Sequence, residues 1–410
     1  MAYYRLLLLI EGTRLDIQLA SRVKRVKPSP TLAVTQRAAE LQAAGQDIVS
    51  LGAGEPDFDT PSHIKEAAIK AIKDGKTKYT AVDGIPSLKQ AIIDKLQNFN
   101  HLDYKPEQVI VSTGGKQCIY NLLQAVIQEG DEVIIPAPYW VSYPDMVLLA
   151  DGIPVFIPTD MAHRFKITPA QLEAAITPKT RMLIINSPSN PSGMSYSHAE
   201  LKALAEVLLK HPNILIGTDD MYEHILWTKE PFANIVMVCP ELYDRTIVLS
   251  GVSKVYSMTG WRIGYASGPT TIIKAMNKIQ SQSTSNPTSI SQYAAEAALR
   301  GGMDFVHMMV ETFKKRHDYL VEQLNAIDGI QCAAGDGTFY AFAHVQDVID
   351  RMPLINSDIQ LSEHLITEVG LALVPGSAFG NEGYVRLSFA TDMETLEKAV
   401  ERLRRGCTMS

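Results

Sequence analysis

Between Ser62 and Ser250 the chain alternates amphipathic helical stretches with short apolar runs, and this alternation constrains the fold more than any other feature. The runs are Val109-Ile-Val-Ser112, Glu132-Val-Ile-Ile135, Met182-Leu-Ile-Ile185, Ile214-Leu-Ile216 and Ile247-Val-Leu249. They are short and rich in β-branched residues, so they read as strands buried on both faces. Strands separated by helices cannot pair as hairpins, and the pattern predicts a mostly parallel sheet with helices on both faces, the α/β class. The helix signals agree: Thr60-Pro61 opens a stretch from His63 to Asp74, and Gly75 closes it.

Beyond about Pro287 the pattern changes. Helix signals run to Ala326, followed by an apolar run at Thr338-Phe-Tyr-Ala-Phe342, a helix near Ser362 to Val369, a strand at Tyr384 to Phe389 and a final helix from Met393. This reads as a smaller α+β domain, joined to the first by the long helical stretch. A chain of 410 residues, 46% of them hydrophobic, is long enough for both. The expected division is a segment over residues 16–61 packing with the small domain, a large domain over 62–300 and the small domain over 301–410. The apolar run Leu6 to Ile10 is stopped by Glu11 and Arg14, too short for a signal peptide. Residues 1–15 are therefore expected to be an extension from an upstream start codon.

Composition excludes several roles. A net charge of -7 offers no basic excess for nucleic acid or an anionic membrane, and no span of about 18 apolar residues exists to cross a bilayer. The cysteines Cys118, Cys239, Cys332 and Cys407 lie far apart, which fits thiols in a reducing, cytoplasmic compartment better than a disulfide framework. The ten histidines show no ligand spacing, so no metal site is expected.

The predicted strands ending at Ser112, Asn186, Gly217 and Ser250 are each followed by polar or glycine-rich residues. In an open α/β sheet such ends converge on one site at the carboxyl edge. The stretch Ser250-Gly-Val-Ser-Lys-Val-Tyr-Ser-Met-Thr-Gly-Trp-Arg-Ile-Gly264 puts Lys254 there, where an amine can be desolvated and made nucleophilic toward an aldehyde as a Schiff base. Ser250, Ser253 and Arg262 could hold an anionic handle beside it, the arginine through a bidentate fork. A lysine in a Ser/Gly loop would, alone, be a solvated surface group. Thr113-Gly-Gly-Lys-Gln117 opens a helix whose free N–H groups suit a phosphate, or is simply a strand-to-helix turn.

Taken in order, these motifs resemble the class I aminotransferases that bind pyridoxal 5'-phosphate, closest to the bacterial aspartate aminotransferase branch, from about Asp16 to the C-terminus. The resemblance implies a fold-type I transferase in which Lys254 carries the cofactor and serves as the catalytic base. It implies that Gly114, Gly115 and Lys116 line the phosphate side and the substrate pocket, joined by Ser250, Ser253 and Arg262. Trp140, in Pro138-Tyr-Trp-Val-Ser-Tyr-Pro144, would stack on the pyridine ring; alone it reads equally as a core tryptophan. Asn190, in Asn186-Ser-Pro-Ser-Asn-Pro-Ser-Gly193, and Tyr222 would reach the phenolic oxygen. Asp219 would keep the ring nitrogen protonated, where an isolated aspartate at this point would read as the cap of a helix starting near Asp220. Arg386, in Val385-Arg-Leu-Ser-Phe389, would clamp the substrate α-carboxylate beside Gly54, and Lys116 would meet a distal carboxylate. Tyr79, in Lys78-Tyr-Thr80, would cross to a partner's phosphate, implying a homodimer with shared sites. Two departures from the family stand out: Ser192 where threonine is commoner, and Asp220 where glutamate is.

The implied activity is transfer of an amino group from L-aspartate to 2-oxoglutarate by ping-pong chemistry. Prephenate or aromatic partners are the alternative on the same residues. A carbon–sulfur lyase is a third reading, and would release pyruvate and ammonia without a 2-oxo acceptor.

Overall fold

The structure is a computed structural model that describes residues 17–408, so the expected extension over residues 1–15 lies outside the described residues. Seven strands form the central sheet, in the spatial order 109–112, 264–267, 246–251, 215–219, 180–186, 132–136, 153–157. All neighbours are parallel except Gly264–Ser267, which runs antiparallel to both of its neighbours. The α/β expectation therefore holds. The register sets Asn186 level with Asp219, and Asp219 level with Leu249, so three strand ends reach the carboxyl edge together.

Alternation along each strand divides the core. Val133 and Ile135 face one layer with Ile184, Leu249 and the helix Gly115–Val126, whose Cys118, Ile119, Leu122 and Leu123 are buried there. Ile134 and Ile185 face the opposite layer, against Leu201, Leu204 and Leu208 of the helix His198–Leu209. Each such buried aliphatic side chain contributes about 1.5–3 kcal/mol, which makes the sheet a rigid base for its edge.

The second unit is a four-stranded antiparallel sheet in the order 374–375, 384–388, 340–344, 331–332, packed with the helices Asp304–Asn325, Asp358–Glu368 and Met393–Gly406. Its core gathers Phe313, Phe339, Leu361, Leu387 and Leu403, together with Val49 and Leu51 from the N-terminal segment. The short strand Val49–Ser50 pairs in parallel with Leu371–Ala372, which ties that segment to this unit.

Three features depart from the sequence reading. The strand Ile153–Ile157 was not expected, because Pro154 and its half-exposed position at the sheet edge hide the apolar signal. Gly264–Ser267 was not expected either, since Gly-Tyr-Ala-Ser lacks an apolar run and is a strand by virtue of its two neighbours. No helix starts at Asp220. The chain turns there instead, and the Asp220 carboxylate accepts from Thr218 at 2.6 Å and from Asn234 at 2.6 Å.

Candidate active site

A cavity of about 220 Å³ opens at the carboxyl edge of the central sheet, between it and the second unit. Gly54, Gly115, Lys116, Trp140, Asn190, Asp219, Tyr222, Ser253, Lys254, Arg262 and Arg386 all line it, from seven separate stretches of chain. Three expected residues are not among those that line it. Gly114 stands one residue before Gly115, which does line it. Ser250 is buried within its strand, and its hydroxyl donates to Glu223 at 3.0 Å on the far side, which corrects the expectation that it faces an anion beside Lys254. Tyr79 lies outside the cavity and is 91% exposed, so it contributes nothing to the site of its own chain.

Lys254 follows the strand Thr246–Gly251 by three residues, and its ammonium donates to the Gly54 carbonyl. Burial pushes its pKa down to about 8; Glu55 opposes this, while Arg262 and Arg386 reinforce it. A lysine so placed gives up its proton far more readily than a solvated one, though most of it is still protonated at neutrality, and the free amine is the state required of a nucleophile or a base.

On one side of Lys254 lies an anion cradle. Gly114, at φ +83°, caps the twelve-residue helix Gly115–Val126, whose first-turn N–H groups lack intrahelical acceptors. A Cβ on Gly114 would stand 2.4 Å from the Arg262 guanidinium, so glycine is what lets the arginine lie over the helix start. Arg262 is itself fixed by donating to the Thr259 carbonyl at 2.8 Å. Ser253 adds a hydroxyl to this wall.

Opposite stands the Asp219 carboxylate, buried, accepting from the Tyr143 hydroxyl at 2.5 Å and from the Met221 N–H at 3.3 Å. Burial raises its pKa, against these two hydrogen bonds and the Lys254 charge. A protonated heterocyclic nitrogen would supply the cation that burial leaves wanting. Asn186 holds the backbone here by donating to the Asp219 carbonyl at 2.9 Å, and its own Oδ1 accepts from the Asn190 N–H at 2.8 Å. Trp140 presents its ring to the cavity, braced edge-on by Tyr143 at 5.3 Å and lying 5.0 Å from the Lys116 ammonium. Burial and the nearby Arg262 charge lower the Lys116 pKa.

Arg386 comes from the second unit and is 1% exposed. Its guanidinium lies between the rings of Tyr340, at 4.4 Å, and Phe379, at 4.9 Å. It donates to Asn190 Oδ1 at 3.0 Å and to the Gly52 carbonyl at 2.9 Å, while Nε lacks a partner. An unpartnered buried donor beside a cavity is a ready receptor for a carboxylate. Asn190, with Oδ1 engaged, keeps its Nδ2 donor, and Tyr222 lies 3.2 Å from the Tyr340 hydroxyl.

Anion cradle, ring-facing tryptophan, buried carboxylate and desolvated lysine fit pyridoxal phosphate at its phosphate, ring face, ring nitrogen and aldehyde respectively. The sequence reading missed Tyr143, Met221, Tyr340 and Phe379. Tyr143 had a signal, three residues beyond Trp140 in the same motif; Tyr340 lay in the predicted run Thr338–Phe342, and Met221 and Phe379 carried no signal of their own.

Comparison with known proteins agrees with this geometry. The family described as aminotransferase class I and II matches residues 46–403. An aspartate/prephenate aminotransferase of Nitrosomonas europaea is 58% identical over 392 residues, covering 94% of this chain and 99% of that protein. One from Cereibacter sphaeroides is 53% identical over 393 residues, with 95% and 98% covered. Among solved structures, an aspartate aminotransferase from Rhizobium meliloti superposes with a TM-score of 0.92 at 47% identity, covering 95% of this chain and 99% of that one. The Thermus thermophilus aspartate aminotransferase with maleate gives 0.90 at 43% identity, covering 95% and 100%. The chain belongs to the class I and II aminotransferases, enzymes that depend on pyridoxal phosphate.

Proposed function

We propose that the protein transfers an amino group from L-aspartate to 2-oxoglutarate, giving oxaloacetate and L-glutamate. The observation that carries this reading is the pair of cations, Arg386 and Lys116, on the wall of the same small cavity as Lys254. Two cations beside the Lys254 amine suit a dicarboxylic substrate held at both ends.

Bound pyridoxal phosphate supplies an aldehyde for the Lys254 amine and a ring that absorbs the electrons left on the substrate α-carbon. The protein does the rest. Arg262, Ser253 and the N–H groups of Gly115 and Lys116 would hold the phosphate, and Trp140 would stack against the ring. Asp219 keeps the ring nitrogen protonated, with Tyr143 holding the carboxylate in place. Asn190 and Tyr222 would donate to the phenolic oxygen. Arg386 fixes the α-carboxylate, and Gly54 closes over it. With the cofactor bound, Lys254 would be the base that takes the substrate α-proton and gives it back, a role its lowered pKa suits in both directions. Lys116 selects substrates with a second carboxylate.

A second acceptor, prephenate, is favoured by one observation: relatives at 58% and 53% identity carry aspartate/prephenate in their names. We also propose a cytoplasmic homodimer with shared active sites. Tyr79, exposed in the single chain, would reach the partner's phosphate, and the exposed Ile17 and Leu19 offer apolar surface for a second copy. The absence of any disulfide among the described cysteines is compatible with the cytoplasm. Turnover of L-aspartate with 2-oxoglutarate and with prephenate, followed separately, tests the substrate assignment. Oxaloacetate formation that continues beyond one per site only when either acceptor is present supports it; pyruvate and ammonia without an acceptor would replace it with a lyase.

A further inference from the structure

We infer that Arg316, acting through Asp57, is a positioning residue for this reaction: it pins the strap of residues 51–60 whose backbone carbonyls serve both the substrate arginine and the base lysine. The inference rests on the functional reading above. The strap touches both charged groups of the site within three residues: the Gly52 carbonyl accepts from Arg386 at 2.9 Å, and the Gly54 carbonyl accepts from Lys254.

The strap begins in the second unit and ends in the first. At its start, the Leu51 N–H donates to Ala372 at 3.0 Å, and the Ser388 N–H donates to the Leu51 carbonyl at 2.8 Å. At its end, the Thr60 hydroxyl donates to the Ser257 carbonyl at 2.6 Å and accepts from Trp261 Nε1 at 3.0 Å. Between these anchors, two side chains pull on opposite walls. Glu55 accepts from Thr259 at 2.7 Å, in the loop that follows Lys254. Asp57 accepts both arms of the Arg316 fork, at 2.8 and 2.9 Å, from the helix Asp304–Asn325. The Arg316 side chain is 9% exposed, and its guanidinium lies 5.5 Å from the Phe58 ring and 5.7 Å from Phe313.

A bidentate, half-enclosed pair stacked on two rings has a fixed geometry that an open surface pair lacks. Without the fork, the Glu55 contact draws the middle of the strap toward the large-domain loop alone. Gly52 and Gly54 then shift relative to Arg386 and Lys254, and displacements of about 1 Å at a reacting group can cost up to about a hundredfold in rate.

The test compares the cofactor-loaded wild type with Arg316→Met, Arg316→Lys and Asp57→Asn. Three readouts are taken: affinity for the non-reacting dicarboxylate maleate, kcat/KM for L-aspartate, and Tm. Arg316→Met and Asp57→Asn are each expected to weaken maleate binding and to lower kcat/KM by about tenfold or more. The double variant should lose no more than either single one, and Arg316→Lys, with a point charge in place of the planar fork, should recover part. Should Arg316→Met fail to fold, Asp57→Asn, whose side chain is 28% exposed, carries the comparison. Variants that lower Tm yet bind maleate and turn over aspartate as the wild type does would overturn the inference and leave the pair a plain structural tie. A wild type that neither binds maleate nor reacts with L-aspartate would defeat the functional reading itself, and the strap's role with it.

Discussion

The two walls of the cavity are built on different principles. The large-domain wall takes its residues from strand ends held level by the sheet: Asn186, Asp219 and Leu249 share one register, and Lys254 follows three residues after the strand. The opposite wall is held by side chains. Arg386 is placed by two aromatic rings, Asn190 and the Gly52 carbonyl, and the strap between the walls by an arginine fork. A backbone register is insensitive to single substitutions, whereas a side-chain latch fails when one partner goes. The large-domain wall should therefore lose chemistry without losing shape, and the small-domain wall should lose substrate affinity along with its geometry.

The largest effect should come from Lys254→Ala. It removes the amine from an intact wall, and turnover should fall by at least about four orders of magnitude, with loss of the visible cofactor band but no gross drop in Tm. Spectrum and melting curve check both parts. On the other wall, Arg386→Lys replaces a buried fork by a point charge and leaves the Asn190 and Gly52 partners short of donors. A loss of about 2–5 kcal/mol in kcat/KM is expected, about equally for amino and 2-oxo substrates, since both present the same carboxylate. A loss confined to one substrate would contradict the assignment of Arg386.

Tyr143→Phe is expected to have a middling effect on the large-domain wall. The Asp219 carboxylate loses its hydroxyl donor in a buried place, at about 1–3 kcal/mol, and its pKa should rise further. The cofactor band should then change its pH dependence while maleate affinity stays put. A shift in maleate affinity of comparable size would blur the distinction between the walls.

The smallest effect compares two histidines. Burial lowers the His224 pKa to about 4, against the neighbouring Glu223. Burial also lowers that of His317, whose Nε2 accepts the Gly335 N–H at 2.9 Å and cannot do so once protonated. Each folded value lies below the ordinary one of about 6.5, so each contribution to stability is present above that pH and is lost as the pH falls below it. Tm should decline between about pH 6.5 and 4, and His224→Gln and His317→Gln should each flatten part of the decline. Unchanged profiles would remove both histidines from the account.

How much of this could be read from the sequence follows the same division. Lys254, Arg262, Asp219 and Asn190 sit in motifs that mark strand ends, and the runs feeding them are apolar enough to announce a parallel sheet. Arg386 was identifiable from its motif, but the rings that seat it were not: Tyr340 lies in a predicted apolar run, and Phe379 in a stretch with no predicted element. The Tyr143 to Asp219 bond joins residues 76 positions apart, and the Arg316 to Asp57 fork spans 259, so no local pattern reveals either. Ser250 misled because polar character says nothing about direction. One strand carries Ser250 into the protein and the loop beyond it carries Ser253 to the cavity. The strand Gly264–Ser267 is invisible for a related reason, being defined by its neighbours rather than its composition.

The most direct test of the central claim is a single half-reaction. Cofactor-loaded protein is mixed with L-aspartate alone, and its visible absorbance is followed while oxaloacetate is assayed. The account predicts that the lysine-bound band converts to the amine form of the cofactor, with one oxaloacetate released per site. An intact band that persists with no oxaloacetate formed would contradict it.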